Sequence, residues 1–172
     1  MSRHGQITAA CRNDSFGDAS SLSQPAVSPN GDFVAFCSDS RIGRGIRGRI
    51  PILCRRKGLV QSWEAHDSYR YISSFAYSPN GNLLVSSGYD RTVKFWDAAN
   101  DYTCVQTLQA DNKEVHSVAF SPNGEIIAIG GGSVGGTKVH LSLWRVSDGS
   151  WSQIREFEFD VEFEDDRPFF MW

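Results

Sequence analysis

Few side chains in this 172-residue chain are placed to do chemistry, and their spacing argues against a reactive centre. The histidines are His4, His66, His116 and His140, and none stands at metal-ligand spacing from a cysteine or a second histidine. Cys11, Cys37, Cys54 and Cys104 form no C-x-x-C pair, and three of them sit in strand-like contexts. They read as reduced thiols acting as small apolar residues, which favours a reducing compartment. The G-x-S-x-G at residues 131–135 lies inside a glycine run with no helix pattern after it, so it does not read as a nucleophile turn, and no Cys/His arrangement is distinguishable from chance. The glycine-rich run 130–137 is not followed by Gly-Lys-Ser/Thr or by a helix, so it reads as a hairpin loop and not as a phosphate cradle. Ile154, Glu156, Glu158, Asp160 and Glu162 alternate with Arg155, Phe157, Phe159, Val161 and Phe163. That is the pattern of a half-buried strand, and its carboxylates read as a solvated face more readily than as a hydrolytic pair. The expectation is a protein that is not an enzyme, with no cofactor and no metal.

The positive side chains are concentrated. Arg41, Arg44, Arg47, Arg49, Arg55, Arg56 and Lys57 fall within residues 38–57. A flexible Arg-Gly loop can wrap phosphates, so an RNA- or phosphate-binding module using residues 41–57 is one alternative function. A solvated loop inserted between two strands is the preferred reading, because no aromatic RNA-binding motif or basic helix accompanies it. Net charge is −3, divided as +5 over residues 1–60 and −8 over 61–172, so the whole-chain charge says little about partners. No apolar segment follows the N-terminal residues in the manner of a secretory signal, and no window approaches a membrane span. The expected location is cytoplasmic, with nuclear as the alternative.

The elements that must position these residues are strands. Ser-Pro-Asn-Gly occurs at residues 28–31, 78–81 and 121–124, with starts 50 and 43 residues apart and matching flanks. Proline fixes one φ angle at a strand end and Asn-Gly accepts positive φ, so each copy reverses the chain into an antiparallel partner. A first unit has strands near 26–28, 32–37, 49–55 and 59–63, with an irregular segment at 38–48. A second has a strand ending at 77, then LLVSSGYDRTVKFWD over 83–97. A third has strands near 115–121, 125–129 and 138–145. Residues 1–24 read as one short strand, 6–11, followed by a polar loop.

The second unit resembles a WD40 repeat. The carrying residues are His66 before the first strand, Ser78-Pro79-Asn80-Gly81, the Ser86 strand, Asp90 in a turn, and the ending Trp96-Asp97. Ala65 replaces the family's Gly before the His. The resemblance implies all-β architecture: four-stranded antiparallel propeller blades, an incomplete ring of about three to four. It divides the chain into 1–24 (N-terminal strand and loop), 25–64 (degenerate blade), 65–109 (best-matching blade), 110–158 (divergent blade) and 159–172 (truncated end or docking tail). It also implies a structural hydrogen-bond network of His66, Ser86, Asp90 and Trp96. In the first unit Leu53-Cys54 takes the Trp-Asp place. In the third, Asp111 takes the place of the His, Ala128 that of the Ser, and Trp144 is followed by Arg145, so no such network is expected there.

By resemblance the function is a non-catalytic protein–protein interaction scaffold. The expected interaction face gathers Arg41, Arg44, Arg47, Arg49, Tyr69, Arg70, Tyr71, Tyr89 and Arg91 at one end of the blades, residue types enriched in binding hot spots. The partner is a protein or peptide; nucleic acid is the weaker alternative and a membrane is not expected. A closed propeller needs about four to eight blades. The chain is therefore read as a fragment or short form of a larger propeller, with self-association through open blade edges as the other outcome. A hydrolase-type propeller, with polar catalytic groups on that face, is the second alternative function.

Overall fold

The computed structural model describes residues 21–22, 25–39, 49–66, 72–110, 114–132, 138–147 and 150–160. Among these residues every regular element is a strand. Arg41, Arg44, Arg47, Tyr69, Arg70, Tyr71 and Asp111, the stretch 6–11 and the segment 161–172 lie outside the described residues.

The three Ser-Pro-Asn-Gly turns fold alike. In the first, the Gly31 N–H donates to Ser28 O (2.8 Å) and the Ser28 hydroxyl donates to Asn30 Oδ1 (2.7 Å). Ser28 Oγ in turn accepts the Phe33 N–H (2.9 Å), and Asn30 Oδ1 accepts the Asp32 N–H (3.0 Å). The turns at Ser78 and Ser121 repeat these bonds. Gly31, Gly81 and Gly124 sit at φ of 72°, 77° and 75°, where a Cβ would be strained. Gly81 and Gly124 carry a second constraint. A Cβ there would approach Cδ of Pro29 (3.6 Å) and Pro79 (3.3 Å), the prolines of the preceding turns, so successive turns lie against one another.

Each turn opens a four-stranded antiparallel meander. The first joins β2 (Ala26–Val27), β3 (Phe33–Ala35), β5 (Arg49–Cys54) and β6 (Gly58–Glu64). The second joins β7 (Ile72–Tyr77), β8 (Leu83–Gly88), β9 (Thr92–Asp97) and β10 (Thr103–Gln109). The third joins β11 (Glu114–Phe120), β12 (Ile126–Gly132), β13 (Lys138–Ser147) and β14 (Ser150–Asp160). A separate short ladder pairs β1 (Ser21–Leu22) with β4 (Ser38–Asp39), where the sequence reads as loop. The three sheets stand side by side, with β7 packed against both β2 and β11. Two serines of β7 stitch the second junction: the Ser73 hydroxyl donates to Val115 O (2.6 Å), and Ser74 Oγ accepts the Val118 N–H (3.4 Å).

Strand alternation divides the core in two. Leu84 and Trp96 point from the second sheet into a cluster with Ala35, Ile50 and Ile52 of the first. Val85, Val93 and Phe95 point the other way, onto Val115, Val118 and Ile127 of the third. Adjacent residues thus serve opposite neighbours, and the middle blade is apolar on both faces. Burying a side chain such as Phe95 or Leu84, both fully enclosed, contributes about 1.5–3 kcal/mol.

Three expectations need correction. The strand expected at 49–55 is present as β5, with Ile50, Pro51 and Ile52 buried, so the cationic loop expected over 41–57 is not a loop at 49–54. Arg49 therefore stands at one end of a six-residue strand and Arg55, Arg56 and Lys57 at the other. The glycine run is not all loop either, since Gly130, Gly131 and Gly132 belong to β12. A Cβ on Gly131 would lie 2.3 Å from Glu114 O, so here glycine permits close backbone approach. Finally, Ile129, and not Ala128, stands where Ser86 stands in the second blade. Leu84 pairs with Trp96 and Ile127 with Trp144, which sets Ile129 in register with Ser86.

Candidate functional site

The polar side chains of the second blade converge between its sheet and the segment that leads into it. The His66 ring is fully enclosed, and Ser86 is fully buried in β8. His66 Nδ1 lies 2.9 and 3.0 Å from the two carboxylate oxygens of Asp90, and Nε2 lies 2.7 Å from Ser86 Oγ. The Trp96 indole N–H donates to the same Ser86 Oγ at 2.9 Å. A carboxylate can only accept, so Nδ1 carries the proton and donates to Asp90. Nε2 then accepts from the Ser86 hydroxyl, whose oxygen accepts from Trp96. Donor and acceptor roles run in one direction, from indole to hydroxyl to imidazole to carboxylate, and each polar atom is satisfied by its neighbour.

Thr92 is a member that sequence reasoning did not single out. Its hydroxyl donates to Asp90 Oδ1 (2.8 Å), and its backbone N–H donates to the same oxygen (3.1 Å). The signal was available, since an aspartate accepting from the N–H two residues on is ordinary turn chemistry. The Asp90 carboxylate thereby holds both His66 and its own turn.

Serine, histidine and aspartate in a hydrogen-bonded row are also the residue types of a hydrolytic triad. Burial decides the matter here. Ser86 Oγ is sealed from solvent and already accepts the Trp96 N–H, so no substrate carbonyl can reach it in this conformation. The row is arranged to hold a sheet.

The turn held by Asp90 is the centre of the expected interaction face. Arg91 is exposed at a φ of 67°, its N–H bonded to Gly88 O at 3.1 Å. The Tyr89 ring meets His116 of the third blade edge-to-face, centroids 5.3 Å apart. Arg49 begins β5, the third strand of its sheet, as Thr92 begins β9, so it lies at the same end of its own blade, but its guanidinium is committed. It donates to Ser62 O (3.1 Å) and Ser62 Oγ (3.4 Å) and lies 3.4 Å from Glu64. Of the nine residues expected on this face, Arg49, Tyr89 and Arg91 are thus the ones described.

Among the described residues the third blade has no equivalent row. Ile129 is apolar, and the Trp144 indole turns to Ser142 Oγ instead (3.0 Å). A small cavity of about 130 Å³ opens beside it, with Glu114, His140 and Glu156 among its lining residues. His140 Nδ1 lies 3.4 Å from Glu158 and 4.0 Å from Glu156 across the β13–β14 ladder. In the first blade, Val34 pairs with Leu53 as Leu84 does with Trp96, so an aliphatic side chain stands where the indole would be.

Known proteins agree with this architecture. The family description "WD domain, G-beta repeat" matches residues 57–97 and 102–137. The chain is 35% identical over 129 residues to "Periodic tryptophan protein 2 homolog" of Neurospora crassa, covering 74% of this chain and 13% of that one. It is 33% identical over 86 residues to "Target of rapamycin complex subunit wat1" of Schizosaccharomyces pombe, covering 49% and 25% respectively. It is 36% identical over 71 residues to "Probable cytosolic iron-sulfur protein assembly protein 1" of Malassezia globosa, covering 34% and 20%. The chain therefore spans a quarter or less of the length of each of these relatives.

Proposed function

This chain carries WD40 repeats, and on that premise we propose that it acts as a non-catalytic scaffold for protein–protein contacts. It would do so as one section of a larger propeller, presenting the end that carries Tyr89 and Arg91. Proteins built from such repeats serve generally as interaction scaffolds, and the relatives named above include a complex subunit. One observation carries the reading for this chain. Asp90 lies between Tyr89 and Arg91 in sequence and is anchored to a buried histidine, so the turn displaying both side chains is held by the core of its blade. A rigidly held aromatic and an arginine lose little entropy on binding.

The fragment reading has its own support. On the far face of the third blade, register places Val139 beside Phe159 and Leu141 beside Phe157. Val139 is 45% and Phe159 51% exposed. A further blade, in the same protein or in a second copy, is what covers such a face in a propeller. For the compartment, Cys54 and Cys104 are free thiols among the described residues, in keeping with a reducing environment. Nucleic-acid binding through 41–57 finds less support: Arg49 and Arg55 are committed to partners, and β5 separates the two cationic ends.

The test is comparative capture. Proteins bound from an extract of the source cells are quantified for the wild-type chain and for a Tyr89→Ala/Arg91→Glu double variant. Selective loss of the same partners, with the circular dichroism unchanged, is expected. Equal capture by both chains would contradict the reading.

A further inference from the structure

The opposite end of the blades, at the Ser-Pro-Asn-Gly turns, carries a second feature. The junction of the first two blades opens there into two cavities of about 520 and 510 Å³. They share Phe33, Ala98, Ala99 and Tyr102, so they form one groove whose common floor is apolar and aromatic. The floor is held in place. The Tyr77 and Tyr102 hydroxyls are 3.0 Å apart, Trp63 stacks on Tyr102 at 5.0 Å, and the Gln61 amide donates to Asp101 O across the junction (2.8 Å). The strand connection that brings Tyr102 here is strained: Asp101 and Tyr102 have φ of 49° and 52°. Consecutive non-glycine residues in that region persist only when the surroundings enforce them, and such strain concentrates where a surface is used.

The charge on the groove's rim sets it apart. The corresponding cavity at the second junction, about 460 Å³, has a lining of Asn, Ser, Gln, Gly and apolar side chains with no charged residue. At the first junction Arg55 pairs with Asp32 (3.2 Å), and the exposed Arg56 and Lys57 beside it have no carboxylate partner among the described residues. Asp101 supplies one opposing carboxylate on the far wall. Along the other half stand Asn30 and Asn80, whose Oδ1 atoms serve their own turns, leaving the Nδ2 groups to donate.

We propose that this groove is a second docking site, which takes an extended acidic peptide segment of a partner protein. An aromatic or aliphatic side chain of the segment lies over Phe33 and Tyr102, and its carboxylates meet Arg56 and Lys57. Its backbone carbonyls accept from the asparagine amides. Two adjoining cavities that share a floor suit an extended chain, and two cations without a carboxylate partner among the described residues are too few for a nucleic-acid backbone. The site lies at the far end of the strands from Tyr89 and Arg91, so a scaffold with both could hold two partners at once.

Fluorescence anisotropy on the full chain tests this with a fluorescein-labelled peptide bearing a Leu-Phe pair followed by four glutamates, and with its glutamine counterpart. The acidic peptide is expected to bind saturably and to weaken as salt is raised. The glutamine peptide should bind about tenfold more weakly, and Arg56→Glu/Lys57→Glu should reduce acidic-peptide binding by a similar factor. Ala99→Trp, which fills the groove from an exposed turn, should abolish binding of both peptides. These three residues are exposed, so circular dichroism should stay at wild type. Equal binding of the two peptides, indifference to the charge reversal, or no saturable binding by the folded chain would each overturn the proposal.

Discussion

The second and third blades share a turn, a strand order and a family, yet they are stabilised differently. In the second, both sheet faces are buried and a row of four polar side chains ties the leading segment to the sheet. In the third, one face rests on its neighbour, the other is open, and the place of the buried serine is taken by Ile129. The comparison shows that a repeat can keep its backbone without its polar lock, provided one apolar face is covered. What the lock adds is a fixed turn: Asp90 holds Tyr89 and Arg91 in place.

The sharpest way to break the comparison is through the side chain both blades depend on. Phe95 is fully buried against the third blade, its ring 4.1 Å from that of Trp151. Phe95→Ala should cost about 3–5 kcal/mol, read as a lower denaturant midpoint. A smaller loss would mean that the second junction is looser than described. Next in size is Asp90→Ala, which strips the buried His66 of its carboxylate acceptor, leaving the Thr92 hydroxyl 3.1 Å from Nδ1, and should cost about 1–3 kcal/mol. Tyr89 and Arg91 should then lose their fixed geometry, so partner capture falls even though neither residue has changed. Gly131→Ala probes the third blade alone. Its Cβ would lie 2.3 Å from Glu114 O, and the strain should cost about 1–3 kcal/mol.

A pH effect sharpens the contrast further. Burial pushes the Tyr77 phenol, paired with Tyr102, well above its ordinary value. A group whose folded value is raised contributes stability that is complete below its unfolded value and is lost as pH rises past it. Stability should therefore fall above about pH 10, and less steeply in Tyr77→Phe. Chemical denaturation at two alkaline pH values measures this, and identical slopes for the two chains would contradict it. The smallest effect belongs to the open face. Phe159→Ser should change stability by no more than about 0.5 kcal/mol while reducing any concentration-dependent association. A large destabilisation would mean that Phe159 is covered within the chain.

Much of this was legible locally. The Ser-Pro-Asn-Gly copies located three chain reversals because the turn's hydrogen bonds lie within six residues. His66, Ser86, Asp90 and Trp96 were legible only through resemblance, since 30 residues separate the first from the last. What escaped depended on cross-strand register. Assigning Ala128 to the serine's place was a one-residue slip, which in a strand moves a side chain to the other face. The extension of β12 through Gly132 escaped because three glycines look like a loop until the approaching Glu114 backbone is seen. The groove at the first junction was invisible, since Phe33, Arg56 and Tyr102 come from three separate segments.

The central claim is that the second blade is the rigid centre of this chain, locked by its polar row. Hydrogen exchange read by mass spectrometry on the intact chain tests it most directly. Amides of β8 and β9 should exchange slowest and those of β13 and β14 fastest, and Asp90→Ala should erase most of the difference. Equal protection of the second and third blades in the wild-type chain, or protection of β8 and β9 untouched by Asp90→Ala, would contradict the account.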